Sequence, residues 1–414
     1  MALAAPGLID AATATALLGA ARAREQDMVD KLVAMAEMES PSADPASQQP
    51  LLDHVQAELT SRSFATLRQP GTRSGGLLVA APARRAGRVG PFQLLVGHVD
   101  TVWPRGTLVG RPVTRDGELL RGPGTYDMKA GLVQVLTALD LLADADLTPD
   151  VAPVLVVNSD EEIGSRESTA AIRALAQRAD RAMVLEPSLG SRGALKTARK
   201  GLGRYTVTVH GKAAHAGLDP TAGASAILEL SAVIQSLFAL NDADRGVTVN
   251  VGMVSGGIQP NVIAPESSAV IDVRVLTTDD AEQVDAAIRS LQASTPGTSL
   301  TVEGGMGRPP LERTARNAAL YEQATVVAER MGIDLPEATA GGGSDGNTAS
   351  QVAPTLDGLG AVGDGAHAEH EHVYIPGWVE RTALLAGLLM LGPVRPDVAP
   401  GVADPLSLVA ADAT

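Results

Sequence analysis

The stretch Phe92-Gln93-Leu94-Leu95-Val96-Gly97-His98-Val99-Asp100 joins a short apolar run to two side chains of metal-site chemistry. An apolar run of this length that ends at a glycine is typical of a buried β-strand. The same arrangement recurs further along the chain, at Val154–Glu162 and at Met183–Glu186. Between these runs, apolar residues recur at helical spacing. Strands that alternate with helices predict an α/β fold, with a mostly parallel or mixed sheet and helices on both faces.

The candidate metal ligands follow the ends of these strands. In an open parallel sheet the functional site lies beyond the carboxyl ends of the strands, so His98, Glu162 and Glu186 are expected to meet there. Asp127 follows a Gly-Pro-Gly turn and precedes a helix. Because it stands near the positive end of the helix dipole, its carboxylate either bridges two cations or caps the helix.

Two pairs of neighbouring residues suggest how binding and catalysis are divided. His98 and Asp100 point to the same face of a strand, so Asp100 can accept the second ring N–H of the imidazole and orient it. The alternative is a histidine that is hydrogen-bonded within the fold and binds no metal, beside an aspartate that faces solvent. Glu161 and Glu162 leave the chain in different directions. Glu162 can therefore bind a metal while Glu161 takes a proton from the water that the metal makes acidic.

A third segment contributes histidines. His367 follows the glycine-rich segment Gly360–Gly365, which allows a close approach of the backbone to a site. His370 and His372 stand beside it, and spacing alone does not distinguish the three. Histidines combined with carboxylates favour zinc, cobalt or manganese over magnesium. This inventory predicts a two-metal hydrolase.

Length and composition exclude several classes of protein. A chain of 414 residues is too long for one ordinary core and predicts two domains. The net charge of −15 argues against nucleic-acid binding, which needs a basic face. Without cysteine, any metal site must use histidine and carboxylate. No apolar run is long enough to span a membrane, and the N-terminus does not resemble a signal peptide, so a cytoplasmic location is expected.

The pattern of elements changes from about Lys200. Strands and helices then follow in the order β-α-β-β-α-β, which is that of a ferredoxin-like α+β unit. We therefore predict an inserted domain at residues 200–310 and a discontinuous catalytic domain at residues 1–199 and 311–414. The sequence also predicts a long first helix over Ile9–Met38 and a mobile tail from Pro393.

Taken together, these stretches resemble the di-zinc exopeptidases and amidohydrolases that include glutamate carboxypeptidase and aminoacylase (clan MH). The resemblance covers nearly the whole chain, from about residue 25 to residue 395. The spacing of the motifs is closest to that of the glutamate carboxypeptidase branch. The matching stretches are Leu95–Val102, Arg121–Gly131, Asp160–Ser165, Glu186-Pro187 and Gly211–Gly217.

The resemblance implies a role for each residue of the metal site. Asp127 would bridge two metals. His98 and Glu186 would complete the first metal site, and Glu162 and His367 the second.

The resemblance also implies the catalytic roles. Glu161 would be the general base and acid, and Asp100 would orient His98. A cis peptide is implied after Asp127. The family histidine precedes an acidic residue by four or five positions, and His367 with Glu371 fits this pattern. His370 and His372 are then expected on the surface.

By the same resemblance, the inserted domain is a lid and a dimerisation domain. His215 would stabilise the oxyanion of the tetrahedral intermediate, often from the partner subunit. Asn261 and Arg274 match positions that bind the substrate carboxylate, although a strand arginine can equally form a surface ion pair. Further candidates for substrate binding are Arg308, Lys200 and Ser344, the last of which lies in a glycine-rich loop that can also be a plain flexible loop.

The implied reaction is hydrolysis of the amide bond to a C-terminal amino acid, with glutamate expected first, by a metal-bridging water that Glu161 activates. Two divalent ions are expected, zinc first, with cobalt and manganese as alternatives. The expected substrate is a small N-acyl amino acid or peptide, and the expected assembly is a homodimer. A broader N-acyl-amino-acid deacylase or dipeptidase is the main alternative. A non-catalytic dimeric binding protein is disfavoured because Glu161 and the ligands are present. A magnesium-dependent phosphoryl-transfer enzyme is disfavoured because no P-loop lysine motif occurs.

Overall fold

The computed structural model of the protein describes residues 8–83, 91–395 and 404–410. The chain forms two compact units, one of Met1–Thr197, Arg313–Thr339 and Ser344–Thr414, the other of Ala198–Glu312 and Ala340–Gly343. The breaks after Thr197 and Glu312 lie two residues from the breaks expected after residues 199 and 310.

The loop Ala340–Gly343 departs from the predicted division. The sequence assigns it to the catalytic domain, whereas it belongs to the second unit. The backbone amide of Lys200 donates to the carbonyl of Ala340 (3.0 Å), and the guanidinium of Arg274 donates to the carbonyl of Gly341 (3.0 Å). These bonds hold the loop to residues of the second unit.

The helices are numbered in chain order. They are α1 (Ala11–Ala23), α2 (Glu25–Ala36), α3 (Pro45–Ser61), α4 (Thr107–Gly110), α5 (Ala130–Asp144), α6 (Thr169–Arg178), α7 (Ala226–Phe238), α8 (Thr278–Arg289), α9 (Ala315–Met331), α10 (Asp345–Ala349), α11 (Ile375–Leu389) and α12 (Pro405–Ala410). Within the described ranges, no helix is both long and apolar enough to cross a membrane.

The strands are numbered in the same way. They are β1 (Phe64–Gln69), β2 (Leu77–Pro82), β3 (Phe92–His98), β4 (Thr114–Asp116), β5 (Leu119–Arg121), β6 (Ala152–Asn158), β7 (Arg181–Val184), β8 (Leu195–Arg199), β9 (Gly201–His210), β10 (Thr248–Gly256), β11 (Glu266–Val275), β12 (Ser299–Arg308), β13 (Glu337–Ala340), β14 (Thr355–Leu356), β15 (Gly363–Asp364) and β16 (His372–Tyr374).

The first unit is built on a six-stranded sheet of order β1-β2-β6-β3-β7-β14. The central strands β6, β3, β7 and β14 are parallel, and β2 is antiparallel to both of its neighbours. Successive side chains alternate between two cores, so Leu95 packs on one face with α5 and α11, while Leu94 packs on the other with α6. The predicted mixed sheet with helices on both faces is therefore confirmed.

A second, smaller sheet in this unit was not predicted. It is antiparallel, with the order β15-β16-β5-β4. Its strands have two or three residues each, too few for a periodic pattern to stand out in the sequence. Because β16 pairs with β5, the loop before β16 and the turn after β5 lie side by side.

The second unit has the predicted ferredoxin-like order, β9-α7-β10-β11-α8-β12. Its four strands form an antiparallel sheet of order β10-β11-β9-β12, with β10 at one edge. The inward-facing side chains Tyr205, Val207 and Val209 of β9 are buried with residues of α7 and α8. The alternation of buried and exposed residues along β9 matches a sheet that is covered on one face.

The two ends of the chain differ from the prediction. The expected helix Ile9–Met38 is broken at Arg24 into α1 and α2. The tail from Pro393 is partly ordered, because the amides of Val394 and Arg395 donate to the buried carboxylate of Asp180 and α12 follows. Residues 396–403 and 411–414 of the predicted mobile tail lie outside the described residues.

Candidate metal centre

Three parallel strands deliver candidate metal ligands to one edge of the sheet. His98 is the last residue of β3 and stands beside Asn158, the last residue of β6. The next turn along the chain, Glu161–Ile163, carries Glu161 and Glu162. Glu186 follows β7, whose last residue pairs with β3. The carboxyl ends of adjacent strands therefore bring these side chains together, as the sequence predicts.

Asp127 and His367 reach the same edge from the small antiparallel sheet. Asp127 lies in the wide turn Thr125–Lys129, which follows β5 and leads into α5. His367 lies in the loop between β15 and β16. Gly360 permits a close approach before that loop, because a Cβ there would lie 2.4 Å from the carbonyl oxygen of Leu185.

The two histidines face different oxygens of one carboxylate. His98 Nε2 lies 3.4 Å from Asp127 Oδ1 and 3.3 Å from Glu186 Oε1. His367 Nε2 lies 3.4 Å from Asp127 Oδ2 and 2.9 Å from Glu162 Oε2. Asp127 thus stands between two groups of ligand atoms, which is the arrangement of a bridging carboxylate.

The ligand atoms are suited to cations. His98 Nε2, Asp127 Oδ1 and Glu162 Oε1 are buried and have no hydrogen-bond partner among the described residues. Buried polar atoms are ordinarily paired. One potential ligand atom from each of these three residues lies within 4.8 Å of those of the other two. The same is true of His98, Glu161 and Glu186. Imidazole and carboxylate together suit zinc, cobalt or manganese, so the residues fit two divalent ions.

The pKa shifts of these side chains also indicate a site that suits cations. Hydrogen bonds that the protonated His367 ring donates to the carboxylates of Asp127 and Glu162 raise its pKa to about 11. Burial raises the pKa of Glu162 to about 7, despite the nearby imidazoles. Burial alone would lower the pKa of His98, but the carboxylates of Asp100, Asp127 and Glu186 raise it. The centre therefore has an excess of negative charge that protonated imidazoles balance, and metal ions can take over that role.

The environment of Asp100 contains contacts that the sequence did not predict. His98 Nδ1 lies 3.0 Å from the backbone carbonyl of Asp100, while the carboxylate Oδ1 is 3.4 Å away. The carboxylate also accepts the backbone amides of Glu161 and Glu162, at 3.1 Å each, and the hydroxyl of Ser42 at 2.8 Å. The backbone carbonyl and the carboxylate of Asp100 thus both face the imidazole, and the carboxylate also holds the turn that carries Glu161.

Further details concern the peptide after Asp127 and the other two histidines. The peptide bond between Asp127 and Met128 is cis, which confirms the expectation from the resemblance.

His370 is exposed and lies 3.9 Å from Asp364. The ring of His372 bonds to the carbonyl of His370 (2.8 Å). Neither residue is among the histidines that face Asp127.

Two residues that support the site were not identified as functional from the sequence. Ser42 bonds to Asp100, and Trp103 donates its indole N–H to Glu371. The run Ser40–Pro45 reads only as a helix stop, and a lone tryptophan after a strand has no distinctive pattern. For the partner of Trp103, the sequence gives one signal, because Glu371 follows His367 by four positions.

In the second unit, His215 and Asn261 lie close together. His215 pairs with Val262 in an isolated bridge, and the amide of Ala216 donates to the carbonyl of Asn261 (2.9 Å). The exposed ring of His215 accepts two backbone amides at Nδ1, those of Gly217 and Leu218, at 3.1 Å each. The hydrogen of the neutral ring is therefore on Nε2.

The basic candidates of the second unit occupy strand ends. The guanidinium of Arg274 pairs with Asp272 at 2.9 Å, in addition to its bond to Gly341. Thr248, opposite Arg274 in the sheet, accepts a hydrogen bond from Lys200 Nζ (3.3 Å). Arg308 ends β12 and is half-buried. Lys200 and Arg274 are thus brought near one another, and Arg274 already forms the ion pair named as its alternative.

Ser344 is placed differently from the other substrate-binding candidates. It is fully buried, and its hydroxyl donates to Asp357 and accepts the amide of Gly346 as the N-cap of α10. The Ser344 hydroxyl thus already donates one hydrogen bond and accepts another within the first unit. Ser344 therefore supports the fold of its loop and does not bind the substrate in the function proposed below.

Comparisons with known proteins identify the class of the chain. Residues 197–297 match the family described as the peptidase dimerisation domain. Carboxypeptidase G2 from Pseudomonas sp. (strain RS-16) is 29% identical over 346 residues, which is 81% of this chain and 82% of that protein. Acetylornithine deacetylase from Myxococcus xanthus is 29% identical over 367 residues, covering 81% of this chain and 90% of that protein.

A solved structure supports the fold. Aminopeptidase PepT from Bacillus cereus ATCC 10987 superposes with a TM-score of 0.74 at 20% identity, over 88% of this chain and 98% of that one. The fold, the ligand set and these relatives define a metallopeptidase or amidohydrolase. The chain is therefore similar to peptidases and deacetylases of the M20 family, which confirms the resemblance seen in the motifs.

Proposed function

We propose that the protein hydrolyses the amide bond to a C-terminal amino acid, with glutamate as the first expected leaving residue. The observation that carries this proposal is the carboxylate of Asp127, whose two oxygens face His98 and His367 with Glu161 nearby. This arrangement offers two cation positions and one carboxylate for proton transfer. The similarity to carboxypeptidase G2 supports the carboxypeptidase reaction.

The metal ligands are proposed to be divided into two groups around Asp127. His98 and Glu186 would hold one ion, Glu162 and His367 the other, in line with the distances between these side chains. Zinc is the proposed metal, with cobalt and manganese as alternatives that the same ligands accept. When bound, such ions polarise the scissile carbonyl and make a water molecule acidic at neutral pH.

Glu161 is the proposed general base. Its carboxylate would take a proton from the attacking water and pass it to the leaving amine. The amide of Glu161 donates to Asp100 Oδ1, so the turn that carries the base is held in place. His215 is proposed to stabilise the oxyanion, because its Nε2 carries a hydrogen while Nδ1 accepts two backbone amides.

The free carboxylate of the substrate is proposed to bind basic and amide side chains of the second unit. Arg274 and Asn261 are the main candidates, with Lys200 and Arg308 as further ones. A guanidinium forms two parallel hydrogen bonds to a carboxylate, which suits recognition of a C-terminus. A substrate carboxylate would have to compete with the Asp272 pair of Arg274.

The proposal is tested with Glu161→Gln. Release of free amino acids from glutamate conjugates, N-acetyl amino acids and dipeptides is followed by mass spectrometry, with and without chelator. We expect kcat to fall by about 10²–10⁴-fold, the range for removal of a general base, while two metals still bind. Glu282→Gln, an exposed change on α8, is the matched control and should leave kcat unchanged. Unchanged turnover in Glu161→Gln would refute the assignment of the base.

The alternative is a broader N-acyl-amino-acid deacylase or dipeptidase. The similarity to acetylornithine deacetylase supports it, because that protein covers as much of the chain as carboxypeptidase G2 does. The same substrate panel separates the two. Release dominated by glutamate supports the carboxypeptidase, and release from N-acetyl amino acids or dipeptides supports the alternative.

A homodimer is the proposed assembly. The second unit carries exposed apolar side chains on α7, on β10 and just after β10, called here the α7/β10 patch, whose members are Ile227, Leu228, Met253, Val254 and Ile258. Strand β10 lies at the edge of its sheet, and such edges readily pair with another chain. Contiguous exposed apolar residues mark association surfaces. The match to a peptidase dimerisation domain supports a second copy of this chain as the occupant. The cytoplasmic location stays a prediction of the sequence.

A further inference from the structure

A buried carboxylate beside the metal centre collects four N–H donors. Glu371 is 2% exposed. Its Oε1 accepts the backbone amides of Tyr126 (3.0 Å) and Asp127 (3.1 Å). Its Oε2 accepts the amide of Gly124 (2.9 Å) and the indole N–H of Trp103 (2.7 Å).

These bonds connect the three segments that carry His98, Asp127 and His367. Trp103 lies five residues after His98, and Glu371 lies four residues after His367. Three of the four donors lie in, or directly before, the turn that carries Asp127. A single side chain therefore joins the loops on which the two groups of ligands depend.

The backbone on both sides of Glu371 is also constrained. The carbonyl of Glu371 accepts the amide of Gly122 (3.3 Å). Gly365 has a φ of +83°, and a Cβ there would lie 2.8 Å from backbone atoms of Glu371. The backbone of Glu371 is thus bonded to the turn before Asp127 and packed against the loop that carries His367.

We propose that Glu371 is a positioning residue of the metal centre, which holds the Asp127 turn so that the Asp127 carboxylate stands between His98 and His367, with Trp103 fixing the Glu371 carboxylate. A carboxylate suits this position because it accepts four hydrogen bonds and presents no donor of its own. A side-chain amide would direct its own N–H groups against one pair of the N–H donors. The inference rests on the proposed function only in taking these residues as ligands of divalent ions.

The test is the affinity of the metal-free protein for Zn²⁺, measured by competition with a chromophoric chelator. Replacing a residue that supports a metal ligand typically costs 10–100-fold in metal affinity. We therefore expect Glu371→Gln to bind at least one of two Zn²⁺ ions about 10–100-fold more weakly. Glu371→Asp keeps four acceptor positions and should recover part of this loss.

Glu229→Gln is the matched control. Glu229 is 1% exposed and lies in the second unit, where its carboxylate accepts the amides of Ser294 (2.9 Å) and Thr295 (2.6 Å). It is therefore an equally buried carboxylate that is bonded to backbone amides away from the metal centre. We expect Glu229→Gln to lower the unfolding temperature and to leave Zn²⁺ affinity within about twofold of wild type, since it touches no ligand loop.

Trp103→Phe keeps the proposal testable if Glu371→Gln does not fold. It removes one of the four donors and retains an aromatic ring under Arg111, whose guanidinium carbon lies 4.0 Å from the indole centroid. A severalfold loss of Zn²⁺ affinity is expected. Zn²⁺ affinity at the wild-type level in Trp103→Phe, and in Glu371→Gln if it folds, would show that Glu371 is merely structural. Wild-type protein that binds two Zn²⁺ ions but cleaves no amide would refute the proposed function and leave this inference standing.

Discussion

The substitution Asp100→Asn tests what holds Glu161, the proposed general base, in place. The Asp100 carboxylate accepts the amide of Glu161 at one oxygen, and the amide of Glu162 with the hydroxyl of Ser42 at the other. Asparagine keeps the size of the side chain but replaces one oxygen with an NH₂ group. In either orientation of the amide, that NH₂ group faces a backbone N–H.

The expected cost follows from these contacts. Asp100 is fully buried, so one amide N–H is left without an acceptor. An unsatisfied buried donor costs about 1–3 kcal/mol, and the surviving bonds lose the strength of a charged acceptor. We expect a loss of about 2–4 kcal/mol in the free energy of unfolding if the turn stays in place. If the turn relaxes instead, the displacement of Glu161 should lower kcat by about 100-fold, since a 1 Å misplacement has that effect.

Two serine variants calibrate the measurement. Ser42→Ala removes the hydroxyl that donates to Asp100 at 2.8 Å. Ser40→Ala removes a hydroxyl that donates to the carbonyl of Val99 at 2.6 Å. Each removes one hydroxyl donor, at a cost of about 1 kcal/mol per hydrogen bond, and Ser42 also lies 3.1 Å from the carbonyl of Thr101. Only Ser42→Ala should also lower kcat, by a few-fold, because only Ser42 bonds to the carboxylate that holds Glu161.

The assays are kcat and KM for the best substrate of the panel, at saturating Zn²⁺, together with denaturant unfolding. Wild-type kcat and stability in Asp100→Asn would refute the reasoning. Equal losses of kcat in Ser40→Ala and Ser42→Ala would also refute it, because the effect would then not pass through Asp100.

Two further predictions concern an acid-sensitive loop and the dimer. Burial raises the pKa of Glu167, but hydrogen bonds from Ser74, Thr72 and Arg73 outweigh it and lower the pKa from 4.5 to about 2. A carboxylate whose pKa is lowered by folding stabilises the folded state at pH values above its pKa in the unfolded chain. The free energy of unfolding of wild type should therefore exceed that of Glu167→Gln by about 1 kcal/mol at pH 7, after allowance for solvent screening. In urea titrations this difference should disappear as the pH falls from about 4.5 to 2. Val254→Lys, in the α7/β10 patch, should weaken the dimer at least about tenfold in sedimentation equilibrium, since it places a charge on an apolar interface. Val109→Lys, at a 92% exposed valine of the first unit, should not, and an unchanged dimer in Val254→Lys would place the interface elsewhere.

Much of the scaffold follows from local sequence pattern. The apolar runs that end at His98, Asn158 and Val184 are the strands β3, β6 and β7, and five of the expected site residues lie at or just after their shared edge. This succeeded because strand periodicity is local and because parallel strands end at one edge of a sheet. The break of the first helix at Arg24 was missed, since neither glycine nor proline occurs there.

The partners of buried polar groups were less predictable. The Asp100 carboxylate was expected to face the neighbouring His98, but its bond to Ser42, 58 positions away, was not predicted. Ser344 was expected to face a substrate and instead caps α10 and bonds to Asp357. In both cases the choice depends on which loops arrive beside the group, and sequence spacing does not contain that information.

The sequence by itself determined the α/β class, the ferredoxin-like order of the inserted unit and the residues able to bind metal, because these depend on periodicity and residue chemistry. Only the tertiary structure decided that two short strands, β5 and β16, pair and bring His367 to Asp127. It also decided that Glu371 collects the amide of Gly124 from 247 positions away. Strands of three residues leave no periodic signal, and a buried carboxylate takes whichever donors the packed loops present to it.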